Sequence, residues 1–173
     1  MNGLVAERRV LPPFGTVTVV AGPTGLRMLS FTDHGDTGLE AVAGSTVVTR
    51  RAFTQVEAYL AGRRRDFAVA WDLSGLSPFT QRVLAVCQRI PWGQTATYRD
   101  VAVALGQPGA VRAVGGALGR NPLPIVIPCH RVVACGHLGG YTPGVDLKRL
   151  LLAIEGHADD TASMASAAAI PAR

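Results

Sequence analysis

The 173-residue sequence contains no apolar run long enough to cross a bilayer. Its opening residues, MNGLVAERRVLPPFG, lack the long apolar core of a secretory leader. Both absences point to a cytoplasmic protein with no membrane partner. Cysteine is scarce, and its count of 3 is odd, which argues against a disulfide framework and for a reducing compartment. Lysine is scarcer still: Lys148 is alone, so arginine supplies almost all of the 17 basic residues. Against 12 acidic residues this leaves a formal charge of +5, which favours an anionic partner. Arginine suits planar contacts to phosphate, although a GC-rich genome gives the same bias. What is plentiful is hydrophobic sequence, 48%, the composition of a globular chain able to bury one large core or two small ones.

Residues 15–21 and 26–31 are short apolar or β-branched runs around Gly22-Pro23-Thr24-Gly25, the pattern of a β-hairpin. Residues 49–62 carry Phe53, Val56, Tyr59 and Leu60 at helical spacing and stop at a glycine. Residues 67–73 read as a further strand. The spacing thus predicts a small α+β unit over 1–73, and 74–78 reads as a linker. Ser77 as N-cap and Pro78 at the first helical position then open a helix over 79–89. Helices over 97–105 and 110–118 flank Gly106-Gln107-Pro108-Gly109, as in a helix-turn-helix. A proline-studded extended stretch leads into Cys129, and a glycine-rich loop precedes a last helix over 145–155. Residues 158–173 lack apolar periodicity and read as a disordered tail, leaving 74–157 as the second domain. No internal repeat is apparent.

Pro128-Cys129-His130-Arg131 is the most informative tetrapeptide. A cysteine attacks only as thiolate and needs a base or a positive charge nearby. His130 is the candidate base, and Glu155 can orient it as the third member of a triad does. Adjacent side chains of an extended strand point apart, so a local turn or a bridging water must bring Cys129 and His130 to one task. The alternative is a buried core cysteine, where free cysteines commonly sit. Cys129, His130, Cys135 and His137 also form a dense Cys/His cluster, but without the spacings of structural zinc sites. Cys87, among Val83, Leu84 and Val86, is most simply core, and His34 and His157 are isolated.

The run from Arg112 through Arg112-Ala-Val-Gly-Gly, Asn121-Pro and Pro-Cys129-His-Arg-Val to Val133 resembles the active-site motif of the O6-alkylguanine-DNA alkyltransferases. The match is strong over residues 77–157, and the first 73 fit only that family's small RNase H-like N-terminal domain. The resemblance implies an α+β protein: that domain, followed by a helical helix-turn-helix domain carrying the cysteine. It implies irreversible, single-turnover transfer of an alkyl group from O6-alkylguanine, or O4-alkylthymine, in duplex DNA to Cys129. His130 would act as base through a water, Glu155 would orient it, Tyr98 would donate a proton toward the guanine, and Asn121 would brace the turn. Arg112 would be the finger that enters the duplex as the base flips out, a step costing a few kcal/mol of unstacking. Thr80, Arg99, Gln107, Gly115 and Arg120 fall at DNA-contacting positions; Leu118, Val132, Gly140, Tyr141 and Thr142 would line the base pocket. Two helix glycines, Gly115 and Gly116, weaken a helix by about 1 kcal/mol each relative to alanine. Close approach to DNA in the narrow minor groove, or tight packing on the Cys129 segment, would each require them.

A thioether offers water no carbonyl to attack, so the acceptor is consumed and no cofactor is needed. Pro143 stands where the family often has glycine; it removes a backbone N–H and stiffens the loop, which bears on bulky alkyl groups. Some relatives bind zinc through N-terminal Cys and His, and none occurs in residues 1–33, so no metal is expected. The expected state is a monomer on DNA, with cooperative binding left open. Two rivals remain: a lesion-binding protein without catalysis, and a cysteine hydrolase built on Cys129, His130 and Glu155.

Overall fold

A computed structural model describes residues 3–31, 40–157 and 170, and divides the chain into two compact units, 1–75 and 76–173. The architecture is α+β, with a mixed sheet and five α-helices among the described residues. No described helix is long and apolar enough to cross a membrane. His34 and the 158–173 tail, apart from Ile170, lie outside the described residues.

In the first unit β1 (Val5–Val10), β2 (Thr16–Gly22), β3 (Gly25–Ser30) and β4 (Val42–Ala43) form a sheet in the order β3-β2-β1-β4. The β1–β2 and β2–β3 pairs are antiparallel and β1–β4 is parallel. The expected hairpin is present, with Pro23 and Thr24 as its turn. Two strands are not legible in the sequence, β1 and β4. The middle of β1 reads Glu7-Arg8-Arg9, which looks like a solvated charge run. Its alternation is satisfied across space instead: Arg9 bonds Glu57 at 2.8 Å and lies 4.5 Å over the Phe53 ring, and Thr49 donates to Glu7 at 2.6 Å. All three partners belong to α1 (Val47–Leu60), which Thr46 caps through a reciprocal capping box and which buries Phe53, Val56 and Tyr59.

The strand expected over 67–73 is corrected by the structure: it pairs with β3 only at one bridge, Leu26 with Trp71. A side chain takes the place of a ladder there. The Gln55 amide accepts from Ala68 N–H at 2.7 Å and donates to Ala68 O at 3.3 Å. Gly25 allows the approach, since a Cβ on it would sit 2.5 Å from Ala70 O and its φ is +140°.

The second unit opens with α2 (Pro78–Cys87), capped by Ser77 with Pro78 in its first turn. β5 (Ala96–Thr97) runs into α3 (Tyr98–Ala104), whose Thr97–Asp100 capping box satisfies two of the first N–H groups. α4 (Val111–Leu118) buries Val114, Ala117 and Leu118 and leaves Arg112 and Gly116 exposed. After a 3-10 turn at Cys129–Arg131, β6 (Val132–Val133) pairs in parallel with β5, and α5 (Val145–Ile154) closes the unit. That short pairing sets the start of α3, with Tyr98, beside the chain that follows Cys129.

Candidate active site

Cys129 begins the 3-10 turn, so Cys129 and His130 do not point apart as they would in a strand. The approach to the turn is strained: Ile125, β-branched and 2% exposed, has φ +65°. Asn121 spans the bend. Its Nδ2 donates to Ile127 O and to Cys129 Sγ, both at 2.9 Å, while its Oδ1 accepts from Leu123 N–H at 3.0 Å. Asn121 thus makes three hydrogen bonds across the turn.

Cys129 is 8% exposed, and burial pushes its thiol up to about 11 despite the Asn121 hydrogen bond and the charge of Lys148. At neutral pH it rests as a thiol, so deprotonation has to be coupled to use. His130 is fully buried, with Nε2 2.8 Å from Glu155 Oε1. Burial lowers the imidazole below its ordinary value, against the pull of Glu155. Burial alone would raise the Glu155 carboxyl, but hydrogen bonds from His130 and Arg131 outweigh it and hold it at about 2. The two shifts agree on one state, a neutral imidazole beside a carboxylate. An ionised carboxylate only accepts, so Nε2 carries the proton and Nδ1 is the basic nitrogen.

Cys129 lines a cavity of about 190 Å³ together with Tyr98, Gly115, Leu118, Gly119, Gly140, Tyr141 and Thr142. Tyr98 is half-buried and its hydroxyl donates to Gly140 O at 3.3 Å. Burial raises the phenol, which therefore stays protonated and able to donate. Gly139 makes room for the ring: its φ is +69°, and a Cβ there would stand 3.1 Å from Tyr98 Oη. Thr142 donates to Gly119 O at 3.1 Å, joining the loop before α5 to the end of α4. A slightly larger groove of about 210 Å³, between α2 and α3, is lined by Arg82, Arg89 and aliphatic side chains and holds no nucleophile.

Most of the expected residues converge. Leu118, Gly140, Tyr141 and Thr142 line the cavity, and Gly115 stands at its wall facing the Tyr98 ring. Val132, expected in the lining, is instead buried in β6 with its carbonyl turned to Lys148. Arg99, Gln107, Arg112 and Arg120 are exposed. Thr80 is not: it is 1% exposed and its hydroxyl lies 3.0 Å from that of Ser77, so it serves the cap of α2. Neither helix glycine is demanded by packing, because a Cβ would find ordinary contacts, Tyr98 at 3.8 Å from Gly115 and Arg120 at 3.7 Å from Gly116.

Two residues at the site carried no expectation. Arg131 forks onto Glu155, with Nε to Oε2 at 2.8 Å and Nη2 to Oε1 at 2.9 Å. Lys148 is wholly buried and donates to Val132 O at 2.6 Å, Leu138 O at 2.5 Å and Gly140 O at 3.3 Å. Burial lowers its ammonium to about 8, while the charge of a Cys129 thiolate opposes that shift. One signal existed for it: Lys148 falls on the same face of α5 as Leu151 and Leu152, where a surface lysine does not belong. Among the described residues no three Cys, His, Asp or Glu side chains come together as a metal site.

Known proteins resemble this chain in sequence and fold. Residues 78–157 match the family model described as the DNA binding domain of 6-O-methylguanine DNA methyltransferase. Over 160 residues the chain is 42% identical to a methylated-DNA–protein-cysteine methyltransferase of Mycolicibacterium paratuberculosis, spanning 88% of this chain and 93% of that one. A protein of the same name from Metallosphaera sedula is 39% identical over 146 residues, or 84% of this chain and 90% of its own. Among solved structures, Mycobacterium tuberculosis OGT in complex with DNA superposes with a TM-score of 0.80 at 34% identity, covering 88% of this chain and 93% of that one. With that identity sustained over nearly the full length of its relatives, the chain belongs to the methylated-DNA–protein-cysteine methyltransferase family.

Proposed function

We propose that this protein repairs DNA by moving an alkyl group from the O6 of guanine to Cys129 Sγ, once per molecule. The observation that carries the reading is Cys129 at the wall of a cavity, with Asn121 on its sulfur and the buried His130–Glu155 pair beside it. O4-alkylthymine presents the same kind of alkyl–oxygen bond and is the second substrate of the same chemistry.

Cys129 rests as a thiol, and its proton passes through a water to His130, whose imidazolium is stabilised by Glu155. Asn121 Nδ2, already on Sγ, stabilises the thiolate. Sulfur attacks the alkyl carbon; the C–S bond forms as the C–O6 bond breaks and its electron pair passes to the guanine. Tyr98 supplies a proton to the departing ring and regains one from the relay. The net result is that the thiol proton replaces the alkyl group on the base. A thioether is inert to water, so the site stays closed.

The target atom is hidden in a duplex and has to be flipped into the cavity. The short helices α3 and α4 act as a helix-turn-helix, and Arg112 enters the gap left in the stack. Arg99, Gln107 and Arg120 flank it as backbone contacts. Gly116, exposed and unneeded by packing, lets α4 approach the minor groove closely. The N-terminal unit is read as RNase H-like, and the protein acts as a monomer in the cytoplasm on double-stranded DNA.

Incubation with duplex DNA carrying O6-methylguanine, followed by peptide mapping, tests the reading. One methyl group on Cys129 and a plateau at one turnover are expected, and Cys129→Ala should abolish transfer while retaining DNA binding. An unmodified Cys129 beside bound lesion would make the protein a binder. Repeated turnover on an ester would make it a hydrolase.

A further inference from the structure

Arg131 takes no part in the relay of Cys129, His130 and Glu155, yet it is 5% exposed and all three of its guanidinium nitrogens are hydrogen-bonded, two of them to Glu155. Nη1 donates to Ile90 O at 2.6 Å, just past α2, which fixes the guanidinium against the rest of the unit. Nε and Nη2 then reach both oxygens of Glu155. Oε1 is shared between Arg131 Nη2 at 2.9 Å and His130 Nε2 at 2.8 Å. Oε2 takes Arg131 Nε at 2.8 Å and Gly93 N–H at 3.3 Å. The carboxylate is clamped at both ends, and the bond that orients the imidazole shares an oxygen with a cation.

We propose that Arg131 is a positioning residue for alkyl transfer: its fork on Glu155 fixes the orientation and tautomer of His130, and its charge, added to burial, helps keep that imidazole neutral until Cys129 gives up a proton. This rests on the relay proposed above. A lone buried carboxylate beside His130 would draw a proton onto the imidazole at rest, and an imidazolium cannot take the thiol proton. A guanidinium sharing the same oxygens divides the carboxylate's charge and weakens that pull. The groups facing His130 are Lys148 from α5 and Glu155 at its C-cap, Cys129 and Arg131 from its own turn, and the Tyr141 ring at 6.5 Å from the loop before α5. After burial and the opposing effect of Glu155, Arg131 and Lys148 both hold the imidazole below its ordinary value. Arg131 alone of the two touches the carboxylate, so it alone couples charge to geometry.

The test is the single-turnover rate of methyl transfer from duplex DNA against pH, across about 5 to 8 where an imidazole titrates. Wild type should lose rate on the acid side as His130 becomes protonated, and His130→Gln should remove that limb. Arg131→Met should move the limb upward by about one pH unit, so that transfer on the acid side falls about tenfold and partly recovers at higher pH. Arg131→Lys keeps the cation but not the fork, and should leave the limb in place with a slower plateau. A limb lost in His130→Gln but unmoved in Arg131→Met overturns the inference and leaves the relay intact. A limb that survives His130→Gln overturns the relay and this inference with it. If Arg131→Met does not fold, Arg131→Lys decides alone: a wild-type plateau there overturns the fork.

Discussion

Lys148 shows how one side chain holds several parts of a site. Its ammonium ties β6, through Val132 O, to Leu138 and Gly140 on the loop that rims the cavity. Methionine has similar reach and no donor, so Lys148→Met leaves the buried carbonyls of Val132 and Leu138, and the part-buried one of Gly140, without their charged partner. A loss of about 2–4 kcal/mol in denaturant unfolding is expected. The same change removes a charge that favours the Cys129 thiolate, so the thiol should titrate higher than its value of about 11 and transfer should slow. A thiol titration unchanged from wild type would show that Lys148 acts on the loop alone. Cys129, His130, Asn121 and Glu155 were legible as a motif because each sits at a distinctive place in the chain. The roles of Lys148 and Arg131 were not, because their partners lie 16 and 24 residues away; the only local sign was the apolar face of α5 on which Lys148 falls.

At the scale of elements, α4 carries the proposed interface. A side chain at Gly116 meets only the end of Arg120, 3.7 Å from its Cβ, so Gly116→Leu should leave stability within about 1 kcal/mol and can even raise it. Binding to duplex DNA should nevertheless fall, since bulk is added where the groove wall is to come. Arg112→Ala should slow repair of duplex substrate more than transfer from the free base. Equal losses on the two substrates would remove the finger role, and unchanged duplex binding by Gly116→Leu would turn α4 away from DNA. Helices α1 to α5 were readable within a few residues of their observed ends, because caps and apolar spacing are local. β1 and β4 were not, since a strand is completed by its neighbours: Arg9 is at home in β1 only because Glu57 and Phe53 of α1 lie opposite. The error over 67–73 has the same origin, in that Gln55 satisfies a backbone that looked like a strand.

For the molecule as a whole, the buried Glu155 links folding to pH. Its carboxyl stands near 2 in the folded protein, below its ordinary 4.5. A depressed acid adds stability above the unfolded value and loses it as pH falls toward the folded one. The window is therefore between 4.5 and about 2, and about 3 kcal/mol is at stake. Thermal unfolding followed from pH 5 down to 2 should show Tm falling in this window, and Glu155→Gln should flatten that part of the slope. An acid slope identical in the variant would assign the effect to other carboxylates. The chemical setting of the proposed acceptor, a cysteine in a Pro-Cys-His-Arg run among short capped helices, was decided within stretches of chain that read without folding them. Its condition was not. That Cys129 rests protonated, that His130 rests neutral and that Glu155 rests charged follow from burial and from partners 24 and 25 residues apart. Desolvation and pairing act through space, and only the folded chain brings those groups within reach of one another.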